Sequence, residues 1–189
     1  MIKAIIFDCF GVLYRDNISL LYDVIPVEKH QALQDLSHGS DYGFLSREEY
    51  YAGAAELAGK TANEIRELEK KQHLRDDQMI AYSQTFRLNY KLGLLSNIDS
   101  VTIRRYLPDI EQLFDAFVVS GDVGITKPSL EIFELIATRL GVRTEECLMI
   151  DDLPKNVEGA TLAGMQSVLF TSKQQLERDI TACLSEESQ

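Results

Sequence analysis

Apolar residues along this chain fall into two textures. Ala4-Ile5-Ile6-Phe7 is an unbroken apolar run without helical period, rich in β-branched and aromatic residues. That pattern predicts a strand buried on both faces of a parallel sheet. From Lys91 onward the same signal recurs between helical stretches. Leu92-Gly93-Leu94-Leu95, Ala116-Phe117-Val118-Val119, Cys147-Leu148-Met149-Ile150 and Ser167-Val168-Leu169-Phe170 read as strands. Ile132, Phe133, Ile136 and Leu140 line one helical face, with Pro128 expected in the first turn and Gly141 as the stop. A further helix is expected over Val157–Ala163. Ser172 and Gln175 are placed to cap a terminal one, and Ser185 to Gln189 are expected to fray.

Between Arg15 and Arg87 the texture differs. Ile18 to Leu36 is weakly periodic, and Ser37-His38-Gly39-Ser40-Asp41-Tyr42-Gly43 reads as a loop by composition. Ser46 with Glu49, and Thr61 with Glu64, have capping-box spacing. Tyr50, Ala54 and Leu57 continue one helical face, and a last helix is expected over Asp77–Asn89. The segment reads as helices only, with no strand pattern. A strand, a helical block and then βαβαβ alternation predict an α/β fold, a doubly wound parallel (Rossmann-like) sheet with an all-helical insert. The core would comprise residues 1–14 and 88–189, and the insert residues 15–87. Leaving the core just after its first strand, the insert would overhang that strand's end as a lid.

Composition narrows the classes. The chain has 189 residues, 45% of them hydrophobic and 26% charged, enough for one core plus a small insert. A net charge of −11 argues against a surface for nucleic-acid phosphates. Cys9, Cys147 and Cys183 show no CxxC spacing, so a disulfide framework or zinc site is not expected and a reducing cytoplasm fits. No apolar run approaches the ~20 residues of a membrane span. Composition leaves monomer and homodimer both open.

Polar groups close four of the predicted strands or their following loops: Asp8, Ser96-Asn97, Lys127 before Pro128, and Asp151-Asp152. Ends of parallel strands share one sheet edge, where open α/β sheets place their chemistry. Each residue alone has a plain alternative. Asp8 could cap a turn at Gly11, Ser96-Asn97 could cap the helix from Ser100, Lys127 could be solvated, and Asp151-Asp152 could offset a helix dipole. Their joint order is hard to reach by coincidence.

These residues resemble the motifs of the haloacid dehalogenase superfamily of hydrolases. Phe7-Asp8-Cys9-Phe10-Gly11-Val12-Leu13 is similar to the first motif, Leu94-Leu95-Ser96-Asn97 to the second and Lys127-Pro128-Ser129-Leu130-Glu131-Ile132-Phe133 to the third. Ile150 to Met165 matches the fourth, and Gly43 to Tyr50 looks like the cap entry of the helical-cap subfamily. The resemblance implies a Mg²⁺-dependent phosphatase of a small phosphorylated metabolite, with Asp8 as the nucleophile that forms an aspartyl-phosphate. It implies Mg²⁺ held by Asp8, the Phe10 backbone carbonyl, Asp152 and Asp151, the last directly or through water. Ser96, Asn97 and Lys127 would hold the phosphate, and Asn156 would orient the acidic loop from behind. Arg15, His38, Tyr42 and Arg47 are candidate contacts from the insert, with surface roles as the alternative.

One position departs from the pattern. Phosphatases of this superfamily carry a second acid two residues after the nucleophile, which protonates the leaving alkoxide; here Phe10 stands there. Two rival readings follow: a catalytically impaired binding or regulatory protein, and a 2-haloacid dehalogenase. Against the second, Asp151 and Asp152 would crowd Asp8 with negative charge unless a cation sits among them.

Overall fold

A computed structural model describes residues 1–16, 19–41 and 44–185. The chain opens with β1 (Ala4–Phe7) and β2 (Tyr14–Asp16), then passes through α1 (Ser19–Tyr22), α2 (His30–Asp41), α3 (Arg47–Ala58) and α4 (Ala62–Gln72). It returns by β3 (His73–Arg75), α5 (Asp77–Gln84), β4 (Lys91–Ser96), α6 (Ser100–Tyr106), α7 (Ile110–Leu113) and β5 (Ala116–Val119). It closes with α8 (Ser120–Val123), α9 (Leu130–Leu140), β6 (Cys147–Asp151), α10 (Pro154–Leu162), β7 (Gln166–Leu169) and α11 (Lys173–Ser185).

Five strands form one sheet in the order β5-β4-β1-β6-β7, each pair parallel. The first apolar run therefore lies at the centre, as its lack of alternation requires. Ile5 and Phe7 enter one core layer with Leu94, Leu148 and Ile150, where α5 and α11 supply Met79, Ile80, Leu176 and Ile180. Ala4 and Ile6 enter the opposite layer with Met149, closed by Ile132, Phe133 and Ile136 of α9 and Ala160 of α10. With both faces covered, the polar work of the sheet is confined to its edges and ends. The β1–β4 and β1–β6 pairs diverge at the switch point of the winding, so Asp8 emerges at the crevice such folds leave open.

The helices α1 to α4 bury their own cluster of Leu21, Ile25, Leu33, Tyr50, Tyr51, Ala54 and Ile65. Both expected capping devices form. Ser46 Oγ accepts from Glu49 N while Glu49 accepts from Ser46 N at 2.7 Å, and Thr61 and Glu64 repeat the exchange.

The expectation of helices alone between Arg15 and Arg87 is corrected: β2 and β3 pair antiparallel where the chain enters and leaves the helical block. At three residues each they carry no readable alternation. The stretch beginning at Ser37 is not a loop either, since α2 runs to Asp41. Gly39 lies so close to Leu45 that a Cβ would come within 2.7 Å of it, so packing holds what composition disfavours. Tyr42 and Gly43 lie outside the described residues, as do 186–189 of the expected frayed end. Pro128 precedes α9, whose N-cap is Ser129, and the N-cap of α6 is Asp99, accepting from Thr102 N at 2.8 Å. The helix expected over Asp77–Asn89 stops at Gln84. Among the described residues no helix is long and apolar enough to cross a membrane.

Candidate active site

Asp8 follows β1 directly, its N–H bonded to Ile150 O of β6 at 2.9 Å. Lys127 reaches it from the loop before α9. The Lys127 Nζ lies 2.9 Å from Asp8 Oδ1 and 2.6 Å from Asp151 Oδ2, with its side chain 1% exposed. Asp151 closes β6 and is fully engaged: Leu153 N donates to Oδ1 at 2.9 Å, and Asn156 Nδ2 reaches Oδ1 and Oδ2 at 2.9 and 3.1 Å. Asn97, after β4, spends its amide on the Lys127 main chain, accepting from Lys127 N at 2.9 Å and donating to Lys127 O at 3.1 Å. The lysine is thus held at both ends.

Two glycines let these loops approach each other. Gly11 has φ +90°, a region that favours glycine, and a Cβ there would sit 2.2 Å from Asp152 Oδ2. On α10, a Cβ at Gly159 would lie 2.6 Å from Pro128 O, so the helix carrying Asn156 presses against the lysine loop.

The charges do not balance. Burial, opposed by Lys127 and reinforced by Asp151 and Asp152, pushes the Asp8 carboxyl up to about 7. Burial pulls the Lys127 ammonium down, but Asp8 and Asp151 outweigh it and hold it above its ordinary value. Asp8, Asp151 and Asp152 offer carboxylate oxygens within 4.8 Å of one another. Three carboxylates facing one ammonium leave two negative charges. A hard divalent cation matches both the oxygen donors and that deficit, so the donor set fits a metal site.

A cavity of 360 Å³ opens above this cluster. Asp8, Ser96, Asn97, Lys127, Asp152 and Asn156 line its floor, and the helices α2 to α4 contribute the opposite wall. Phe10 lines it too, its ring packed against Tyr14 and Tyr106 at centroid distances of 5.7 and 5.3 Å.

Comparison with known proteins agrees with this geometry. The family model of haloacid dehalogenase-like hydrolases matches residues 2–164. The chain belongs to this family. The hydrolase is 31% identical over 92% of its length, and 85% of the relative's, to Bacillus subtilis YhcW, which carries a provisional phosphatase name. It is 27% identical over 96% of its length to the drimenol cyclase DrtB of Aspergillus calidoustus, but spans only 36% of that longer protein. Among solved structures, a HAD-like hydrolase from Porphyromonas gingivalis superposes with a TM-score of 0.79 at 27% identity, covering 97% of this chain and 98% of that one. A HAD-family enzyme of Bacteroides thetaiotaomicron, solved with magnesium and inorganic phosphate, gives 0.77 at 20% identity over 92% and 96%. That likeness concerns the fold.

The hydrolase thus gathers Asp8, Phe10, Ser96, Asn97, Lys127, Asp152 and Asn156 on one cavity, with Asp151 directly behind them. Of the candidates in the insert, His38 and Arg47 line the cavity. Arg15 does not: its Nε pairs with Asp76 at 2.9 Å and its side chain is 72% exposed. Tyr106 and Glu69 escaped the sequence reading. Glu69 sits in the charged run Glu67-Leu68-Glu69-Lys70, which reads as a solvated face. The signal was its spacing, four residues after the buried Ile65 and beside the half-buried Leu68, which puts an acid on the apolar stripe.

Proposed function

We propose that this hydrolase cleaves phosphate monoesters of small metabolites through a phosphoaspartyl intermediate on Asp8. The observation that carries this reading is Asp8 at the switch point, 2.9 Å from a buried lysine, inside an acid cluster that opens on a small-molecule cavity. Such a cavity falls near the lower end of the range for metabolite sites, about 300–1,000 Å³. The YhcW name and the phosphate-bound Bacteroides structure support the choice of phosphate.

An ionised Asp8 oxygen attacks phosphorus in line with the ester oxygen. The Asp8–phosphorus bond forms, the ester bond breaks, and the leaving oxygen departs with its electron pair. Lys127 keeps Asp8 ionised and lends positive charge to the phosphate oxygens, while Ser96 Oγ donates a hydrogen bond to one of them. Asn97 acts by fixing Lys127, and Asn156 by fixing Asp151. Asp8, Asp152 and the Phe10 carbonyl would hold Mg²⁺, with Asp151 supporting them. When bound, the cation supplies neutralisation of the phosphate oxygens and of the acid cluster. Water then attacks the phosphoaspartate and releases phosphate. The helices inserted in residues 15–87 act as a helical cap, α1 to α4 forming the lid and α5 staying on the sheet.

The test is phosphate release over a metabolite panel with Mg²⁺, with EDTA, and for Asp8→Asn and Asp152→Asn. Release should vanish with EDTA and with Asp8→Asn, and calorimetry should show weaker Mg²⁺ binding by Asp152→Asn. Release that survives both EDTA and Asp8→Asn places the chemistry elsewhere.

A further inference from the structure

The cavity has two chemically distinct walls. On the sheet side, the Phe10 ring meets the Tyr106 ring edge-on at 5.3 Å, and with Ile98, which lines the same cavity, they give an apolar wall near the nucleophile. On the cap side stand Gln34, Ser37, Tyr50, Arg47 and Glu69. Glu69 is only 5% exposed, so its carboxylate has been taken out of water at the cavity wall. It accepts hydrogen bonds from Arg47 Nη2 and from the Tyr51 hydroxyl. Arg47 is held in turn by the faces of Tyr50 and Tyr51, 4.8 and 5.0 Å from their ring centroids.

The pair is held by several contacts, yet its hydrogen-bonding capacity among the described residues is not exhausted. A carboxylate offers about four lone-pair positions, of which two are used among the described residues. The Arg47 Nε is buried with no hydrogen-bond partner. Buried polar groups left short of partners are costly, and a ligand that supplies them is correspondingly favoured. The pair also cancels its own charge. A carboxylate on the substrate would compete with Glu69 for the guanidinium, and an ammonium would compete with Arg47 for Glu69. A hydroxyl, both donor and acceptor, satisfies either without disturbing the balance.

From this arrangement we infer that Glu69 and Arg47 are specificity-determining residues, and that the alcohol portion of the substrate is an uncharged polyhydroxylated ring of sugar or cyclitol type. Such a ring has a face of C–H groups to bury against Phe10 and Tyr106 and a rim of hydroxyls to meet Gln34, Ser37, Glu69 and Arg47. The Tyr106 hydroxyl lies within the electrostatic reach of both residues: burial and then the Glu69 carboxylate hold its proton more firmly, and the Arg47 guanidinium opposes them. The two walls therefore face each other across the same space. The inference rests on the phosphatase reading above.

The experiment compares kcat/KM for three esters of the same primary alcohol position: glucose 6-phosphate, glucosamine 6-phosphate and 6-phosphogluconate, with Mg²⁺. The wild-type hydrolase should prefer the neutral ring over both charged esters by on the order of 10-fold or more. Glu69→Gln leaves Arg47 uncompensated and should shift the preference toward 6-phosphogluconate. Arg47→Gln should shift it toward glucosamine 6-phosphate. A role confined to holding the cap together would lower all three rates alike. Thermal melts check that each variant folds, and the wild-type comparison stands even if neither does. Equal rates for the three esters, or preference for a charged one, overturn the inference. p-Nitrophenyl phosphate separates the two levels: its Asp8-dependent hydrolysis alongside indifference to the sugar esters defeats only this inference. No Asp8-dependent release from any ester defeats the phosphatase reading.

Discussion

Replacing Lys127 by methionine removes one charge and keeps most of the buried stem. Its ammonium lies 2.9 Å from Asp8 and 2.6 Å from Asp151, and all three side chains are less than a tenth exposed. Removing one partner of a buried ion pair costs about 3–5 kcal/mol, because the remaining charge stays behind without water. At about 2–4 °C per kcal/mol for a protein of this size, melting in EDTA at pH 8 should fall by roughly 6–20 °C. The deficit must also depend on pH. Burial already pushes the Asp8 carboxyl up to about 7, and Lys127 is the group pulling it down. Without Lys127 the carboxyl rises further above its unfolded value, so folding takes up a proton. Stability then declines as pH rises from the unfolded value through the folded one. The variant's deficit should be largest at pH 8 and smaller at pH 5, where a protonated Asp8 no longer needs the lysine. Saturating Mg²⁺ at pH 8 should restore part of the loss by binding the folded state. Equal deficits at the two pH values, or a deficit no larger than a surface ion pair, about 1 kcal/mol or less, would refute the picture of a charge-locked site.

Two more measurements follow from neighbouring features. With Phe10 unable to transfer a proton, the wild-type rate should rise steeply as the leaving group becomes less basic. Phe10→Asp should narrow the gap between aryl and alkyl phosphates by up to ~10²-fold; a wild-type enzyme indifferent to leaving-group pKa shows that another group donates the proton. If α1 to α4 close over the site, beryllium fluoride with Mg²⁺ should slow their amide hydrogen exchange. Protection confined to the segments around Ser96 and Asp152 would count against a lid.

The sheet was legible because its central strands are buried on both faces, so Ala4–Phe7 and Cys147–Ile150 could be read without any periodicity. Their polar ends were legible for the same reason: an acid closing a run of four apolar residues stands out. What stayed hidden depends on packing between distant parts of the chain. The strands β2 and β3 exist because Tyr14 meets Arg75 across some sixty residues, and neither segment announces it. Asn97 reads as a phosphate ligand by motif, and no spacing shows that its amide also braces the Lys127 backbone. Glu69 is buried by Tyr51 and Arg47, a residue set that charge content alone assigns to solvent.

The two crossings between the sheet and the helical block are hydrogen-bonded to each other, with Tyr14 opposite Arg75 and Asp16 opposite His73. Paired residues of antiparallel strands stand only about 4.5–5.5 Å apart at Cα. The block is therefore attached at a single point, like a pendant on a short ribbon. Residues 17–72 could be cut out and the ribbon closed with a two-residue Asn-Gly turn, without asking the sheet to move. Because the third cluster of buried side chains belongs to α1–α4 and their links alone, the excision would remove a core entire rather than tear one open. The same geometry makes this position a natural port, through which pendants of other shapes could be grafted onto one unchanged nucleophile.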